Sequence, residues 1–122
     1  MEAAECGAAC MAMILGYYGR WVPLDQARQD CGVSRDGSKA SYLVQAARDY
    51  GLIAEGLRVT PESIKELRFP IIAFWDLNHF VVVEGFNRKK WYLNDPAEGP
   101  RTVTYKEFDR GLSGVALTFE KG

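Results

Sequence analysis

Three residues of this sequence have the types needed to work together on a covalent bond: Cys6, His79 and Asp95. Cys6 stands in ECGAAC, where it is expected at the N-terminus of a helix. Unpaired backbone N–H groups and the helix dipole favour an anion at such a place. An ordinary thiol, with a pKa of about 8.5, is only a few per cent thiolate at about pH 7. Lowering that pKa by about two units stabilises the thiolate by roughly 2.7 kcal/mol. His79 is the only histidine, so a histidine-dependent mechanism must use it. It begins the strand HFVVVEGF, in which His79, Val81 and Val83 are expected on one face and Phe80, Val82 and Glu84 on the other. Asp95 ends the next strand, in YLNDP. A hairpin would set that carboxylate beside the imidazole, where it can accept an N–H and fix the tautomer. Asp76, three residues before His79, is a second candidate acid. Taken singly, each has a plainer reading: a packed thiol, a structural histidine, a strand-ending turn. Together, the order cysteine, histidine, acid suits a thiol hydrolase in which distant elements converge on one cleft.

The elements that must position these residues are helical first and extended afterwards. Cys6–Tyr18 holds small residues and strong helix formers, and Gly19 suits a stop. Pro23 is expected in the first turn of a short helix with Leu24, Ala27 and Cys31 on one face, ended by Gly32. Ser38 is expected to cap a third helix whose inner stripe is Leu43, Val44, Ala47 and Tyr50, before Gly51. Strands are expected at Leu52–Val59, Ile71–Trp75, His79–Phe86, Lys90–Asn94, Arg101–Tyr105 and Val115–Glu120. TPES at Thr60–Ser63 predicts an N-cap and a short helix over Ile64–Leu67. Thr104 is expected to cap a turn around Glu107–Arg110. Helices followed by antiparallel strands make an α+β layout.

The 122 residues suit one small domain, and 48% hydrophobic content is enough for one core. A net charge of -1 gives no electrostatic reason to bind nucleic acid or anionic lipid. Three cysteines, an odd number, argue against a disulfide framework and suit a reducing compartment. No apolar run reaches the roughly 18 residues that span a bilayer. Met1–Glu5 has no basic region and does not read as a signal peptide. A zinc site is a competing reading: Cys6 and Cys10 are spaced C-x₃-C, and Cys31 and His79 would complete Cys₃His. A redox pair is disfavoured by the same spacing. Cys10 and Cys31 are assigned to packing, with Cys10 one turn beyond Cys6. Tyr17, Tyr18 and Trp21 are expected to pack the first helix against its neighbours, and Glu84 and Arg88–Lys90 to be solvated.

Four blocks, ECGAACMAMILGYYG, NHFVVVEG, YLNDPAEG and LSGVALTFE, carry a more specific signal. In this order they resemble the N-terminal peptidase domain of peptidase-containing, bacteriocin-exporting ABC transporters. The sequence is similar to the branch with long nitrile-hydratase-like leaders. The resemblance covers nearly the whole chain. It implies a papain-like α+β cysteine peptidase fold, with N-terminal helices packed on an antiparallel sheet. Residues 1–122 would form one peptidase domain, the N-terminal fragment of a larger membrane transporter. That domain would be soluble by itself and, in its transporter, lie at the cytoplasmic face of the bacterial inner membrane. Its partners would be the transporter's transmembrane and nucleotide-binding domains, with ATP binding beyond Gly122. The resemblance leaves the oligomeric state of the isolated domain open, a monomer included, and implies no cofactor, metal or nucleic acid.

The implied activity is cleavage of a precursor peptide after the Gly-Gly or Gly-Ala pair that ends its leader. Matched residue by residue, Cys6 takes the position of nucleophile, His79 of general base and Asp95 of orienting acid. The family pattern also places an oxyanion-hole glutamine six residues before the cysteine, one residue ahead of Met1 and so outside this sequence. A Gly-Gly requirement suits a channel too narrow for a Cβ. Leader specificity would then come from an amphipathic helix in an apolar groove. Trp21, Trp75, Leu77, Asn78 and Phe80 are the candidate lining residues, with core packing the plainer reading of the apolar ones. The non-catalytic alternative is a degenerate domain that only grips the leader, although loss of the cysteine is its usual mark.

Overall fold

The computed structural model describes residues 3–30 and 40–122. Three helices come first: α1 (Ala3–Tyr17), α2 (Leu24–Asp30) and α3 (Ala40–Asp49). Six strands follow: β1 (Leu52–Arg58), β2 (Ile71–Trp75), β3 (His79–Phe86), β4 (Lys90–Asp95), β5 (Gly99–Thr104) and β6 (Leu112–Lys121). A fourth helix, α4 (Tyr105–Gly111), stands between the last two. All pairings are antiparallel, in the spatial order β1-β6-β2-β3-β4-β5.

The α1 sequence packs because Cys6, Cys10 and Ile14, with Met11 and Leu15 beside them, recur at helical spacing and are all fully buried. Gly7 lets the helix lie close to the sheet, since a Cβ there would stand 3.3 Å from Leu43 and 3.4 Å from Phe80. The helix ends in a Schellman arrangement around Gly19, whose φ is 85°. Gly19 N–H donates to the Gly16 carbonyl at 3.1 Å and Arg20 N–H to that of Leu15 at 2.8 Å.

Two apolar layers sandwich the sheet. On the α1 and α3 side lie Phe80 and Val82 of β3, Ile72 of β2 and Phe119 of β6. On the α4 side lie Val81 and Val83 of β3, Trp75, Trp91, Leu93 and Phe108. Trp91 and Phe108 stack with ring centroids 4.0 Å apart. α4 is held by a capping box: Thr104 Oγ1 accepts from Glu107 N–H, and the Glu107 carboxylate accepts from Thr104 N–H.

The expected elements are present with shifted ends. α1 begins at Ala3 rather than Cys6, β4 reaches Asp95, β5 starts at Gly99, and β6 starts at Leu112. The TPES segment gives a 3₁₀ turn at Ser63–Glu66 instead of a helix capped by Thr60. Thr60 and Ser63 satisfy each other, each side-chain oxygen accepting the other's N–H. Pro23 stands just ahead of α2, its carbonyl accepting from Ala27 N–H at 3.0 Å. Cys31, Gly32 and Ser38 lie outside the described residues. Tyr18 packs as expected, its O–H donating to the Phe119 carbonyl at 2.8 Å. Tyr17 and Trp21 do not: they are 66% and 85% exposed, Tyr17 as the last residue of α1 and Trp21 in the segment that follows it.

Candidate active site

β3 begins at His79, at the end of the sheet where its pairing with β2 closes through Trp75↔His79. Strand alternation assigns His79 to the α4 side with Val81 and Val83. Its ring nonetheless meets Cys6, which belongs to the opposite layer on α1. A residue at the end of a strand has no further neighbour separating the two faces, so its side chain can serve both. Cys6 Sγ lies 2.8 Å from His79 Nδ1, and His79 Nε2 lies 2.8 Å from Asp95 Oδ1. An ionised carboxylate only accepts, so Nε2 carries the proton and its N–H donates a hydrogen bond to Asp95 Oδ1. Nδ1 then faces the sulfur, as acceptor from the thiol or as donor to the thiolate.

Asp95 is held by its own turn as well. Its Oδ1 also accepts from Ala97 N–H at 2.8 Å, an Asx turn where β4 bends into β5. Burial, with the residue only 4% exposed, would push this carboxyl up. The His79 hydrogen bond, the Ala97 N–H, the charge of His79 and the Arg101 guanidinium outweigh burial and hold it below the usual carboxylate range. Arg101 also pairs with Glu98 at 2.7 Å across the same turn. Cys10 is fully buried, and burial pushes its thiol well up, with the negative charges of Cys6 and Asp95 adding to the effect.

Cys6 lies at the end of the first turn of α1 rather than at its tip. The dipole is felt there less than at the first residue, which leaves the His79 contact as the closest stabiliser of a thiolate. Asp76 does not fill the acid's place: Asp95 takes the histidine N–H, while Asp76 is exposed in the β2–β3 turn. A depression of about 210 Å³ beside the histidine is lined by Trp75, Asp76, Asn78, His79, Asp95 and Arg101, among others. Of the candidate groove residues, Phe80 and Trp75 are core side chains, 3% and 5% exposed, although Trp75 reaches the floor of this depression. Leu77, Asn78 and Trp21 are exposed, and Trp21 follows the far end of α1. Core packing, the plainer reading, therefore fails for Leu77 and Trp21.

Ala97, Arg101, Gly111 and Ser113 support the site without having been singled out by sequence. Ala97 was legible, since Asp-Pro-x-x-Gly is an Asx-turn signal. Arg101 acts across the same turn, three residues from Glu98 and six from Asp95, whereas Gly111 and Ser113 act through contacts distant in sequence and leave no local mark. Among the described residues no group of three or more His, Cys, Asp or Glu side chains is arranged to hold a metal ion. Cys31, which the zinc reading needs, falls outside them.

Residues 1–122 match the profile of the Peptidase C39 family. The chain is 35% identical over 116 residues to the colicin V secretion/processing ATP-binding protein CvaB of Escherichia coli, covering 95% of this chain and 17% of that protein. It is 32% identical to the lacticin-481/lactococcin-DR transport/processing ATP-binding protein lcnDR3 of Lactococcus lactis, covering 93% of this chain and again 17% of the relative. The chain thus spans about one-sixth of the length of these relatives. Among solved structures, it superposes with a TM-score of 0.96 on a double glycine motif protease from an AMS/PCAT transporter, crystallised with its leader peptide. That pair shares 54% identity over all of this chain and 88% of the other. The peptidase domain of Streptococcus ComA shares the fold at a TM-score of 0.89, with 20% identity over all of this chain and 95% of that one.

Proposed function

The chain belongs to the Peptidase C39 family, and from that premise we propose that it is a cysteine endopeptidase that removes the leader from a bacteriocin-like precursor peptide, cutting after a Gly-Gly or Gly-Ala pair. In the whole protein this cleavage accompanies export by an ABC transporter, whose transmembrane and nucleotide-binding domains are its partners at the cytoplasmic face of the membrane. Both curated relatives described above are secretion or transport proteins with a processing activity in their names. The domain contributes the cutting step, and the amphipathic leader helix contributes selectivity.

The observation that carries this reading is the continuous chain from Cys6 Sγ through His79 to Asp95, with 2.8 Å at both links. His79 Nδ1 takes the thiol proton, and the sulfur attacks the carbonyl carbon of the second residue of the pair. The tetrahedral oxyanion is met by backbone N–H groups near Cys6 and by the glutamine that the family pattern places upstream. As the C–N bond breaks, the Nδ1 proton passes to the departing amine. The leader remains on sulfur as a thioester. Water, deprotonated by the same nitrogen, then attacks that carbonyl and releases the leader carboxylate, and the proton returns to sulfur. Asp95 stays ionised throughout, fixes the tautomer and stabilises the imidazolium.

The test is a cleavage assay with synthetic precursors whose leaders end in Gly-Gly, read by mass spectrometry, on the chain and on Cys6→Ala. Cutting after the pair, lost in Cys6→Ala, is expected. A chain extended upstream by the glutamine is expected to cut faster by about 10²–10³-fold. Leader binding without cutting in both forms would overturn the enzyme in favour of the grip-only alternative.

A further inference from the structure

Resting on this peptidase reading, we propose that Arg101 is a positioning residue of the reaction: its guanidinium, braced by Glu98, acts through Asp95 to keep that carboxylate anionic and turned to His79 during turnover. The β4–β5 connection places it. Asp95 pairs with Gly99, which closes the connection with a φ of 85°. Arg101 therefore stands two residues beyond the position opposite Asp95, on the same face of the sheet. Diagonal neighbours of this kind lie about 7–8 Å apart, within reach of a long side chain. Glu98 ties the two together. Its N–H donates to the Asp95 carbonyl at 3.2 Å, and its Oε2 accepts from Arg101 Nη1 at 2.7 Å.

The surroundings of Asp95 show what the arginine supplies. Both hydrogen bonds to its side chain, from His79 Nε2 and from Ala97 N–H, end on Oδ1. Oδ2 takes none among the described residues. The depression beside His79 brings two further carboxylates, Asp76 and Glu98, to the same space. The backbone of the Asp76 turn is fixed there: Asp76 N–H donates to the Gly111 carbonyl at 2.8 Å, and Leu77 N–H to Ser113 Oγ at 2.8 Å. From α1, Cys6 and Cys10 face the histidine and the acid and bring no positive charge. From α4, Glu107 and Arg110 line an adjoining depression, which Arg101 also lines. Among the described residues, Arg101 is thus the one cation besides His79 in the wall around Asp95.

The guanidinium is also poorly screened. Its Nε is buried without a partner, so that end of the charge is little hydrated and its field carries further. Glu98, with a side chain 63% exposed against 35% for Arg101, is the better hydrated half of the pair. The balance at Asp95 favours the anion, in keeping with its depressed carboxyl. That matters whenever His79 holds two protons, because only an ionised Asp95 stabilises the imidazolium. With a neutral residue at position 101, Asp95 would take up a proton at a higher pH. The loss of activity therefore falls on the acid side.

The experiment measures kcat and KM for a Gly-Gly precursor peptide from about pH 5 to about pH 8. It compares the parent with Arg101→Met, Arg101→Lys and Arg58→Met, an exposed position on the opposite edge strand. Arg101→Met is expected to lose about 10-fold at about pH 5 and to stay within about threefold at about pH 8, chiefly in kcat. Arg101→Lys should restore most of the acid-side activity, and Arg58→Met should follow the parent throughout. In an Asp95→Asn background, Arg101→Met should cost nothing further, since the carboxylate it acts through is gone. Coincident pH profiles for parent and Arg101→Met would overturn this role and leave the peptidase reading intact. A loss equal at every pH, not restored by lysine and joined to a lower melting temperature, would mark a structural staple and overturn it too. So would an undiminished loss in the Asp95→Asn background. Failure of the parent chain to cut any such peptide would remove the peptidase reading, and this role with it.

Discussion

Cys6 and Cys10 stand one helical turn apart on α1, both fully buried in the same apolar layer, yet their surroundings set opposite chemistry. The turn carrying Cys6 reaches the end of the sheet, where an imidazole lies 2.8 Å from the sulfur with a buried carboxylate behind it. The turn carrying Cys10 lies among apolar side chains, and burial pushes its thiol well up. Burial by itself makes a thiol inert. A proton acceptor built into the wall is what separates a candidate nucleophile from packing. The two positions share a helix face, so the difference lies entirely in what the sheet presents to each.

The largest test of that contrast is the pair of alanine variants. Cys6→Ala is expected to lower kcat by at least about 10⁴-fold, while Cys10→Ala stays within a few fold of the parent in the same cleavage assay. Comparable losses in both would dissolve the distinction. Next comes the support behind the histidine. Asp95→Asn leaves the shape but no longer enforces the tautomer, and a loss of about 10²–10⁴ in kcat is expected from steady-state kinetics.

The contrast extends to stability. The Asp95 carboxyl is held below its ordinary range in the fold, so its contribution is present above the unfolded-state value of about 3.9 and is lost as pH falls through the lower folded value. The Cys10 thiol is raised in the fold, so its contribution is present below about pH 8.5 and is lost as pH rises above it. Thermal melts across pH should show an acid limb flattened by Asp95→Asn and an alkaline limb flattened by Cys10→Ala. The smallest effect is the stability cost of Cys10→Ala at neutral pH, about 1 kcal/mol in a urea titration, from lost contact and a small cavity. An alkaline limb unchanged by Cys10→Ala would show that other groups set it.

Comparing the two cysteines also separates what was readable in advance from what was not. The C-x₃-C spacing correctly placed Cys10 one turn beyond Cys6 on one face, because helical periodicity is local. The strand reading found β2 and β3 at their observed ends, since Pro70 and the runs of β-branched residues mark them. Alternation grouped His79 with Val81 and Val83, and its Asp95 contact lies on that face, but the rule gave no sign of the Cys6 contact that the ring makes at the strand's tip. Leu77 and Trp21 looked like core by residue type and are exposed, because type reports a tendency to be buried and not the direction of a turn or of a helix end.

The sequence by itself determined the chemical repertoire: one histidine, a cysteine early on a helix, acids at strand ends, and an α+β order of elements with four blocks resembling one peptidase family. These follow from residue types and short-range periodicity, which act along the chain. Only the tertiary structure decided that Asp95 and not Asp76 takes the histidine N–H, that Cys6 and not Cys10 meets the ring, and that Gly111 and Ser113 clamp the turn bearing Leu77. Each of these depends on partners from 16 to 73 residues away. Such contacts are set by strand register and by the packing of helix on sheet, which no local pattern encodes.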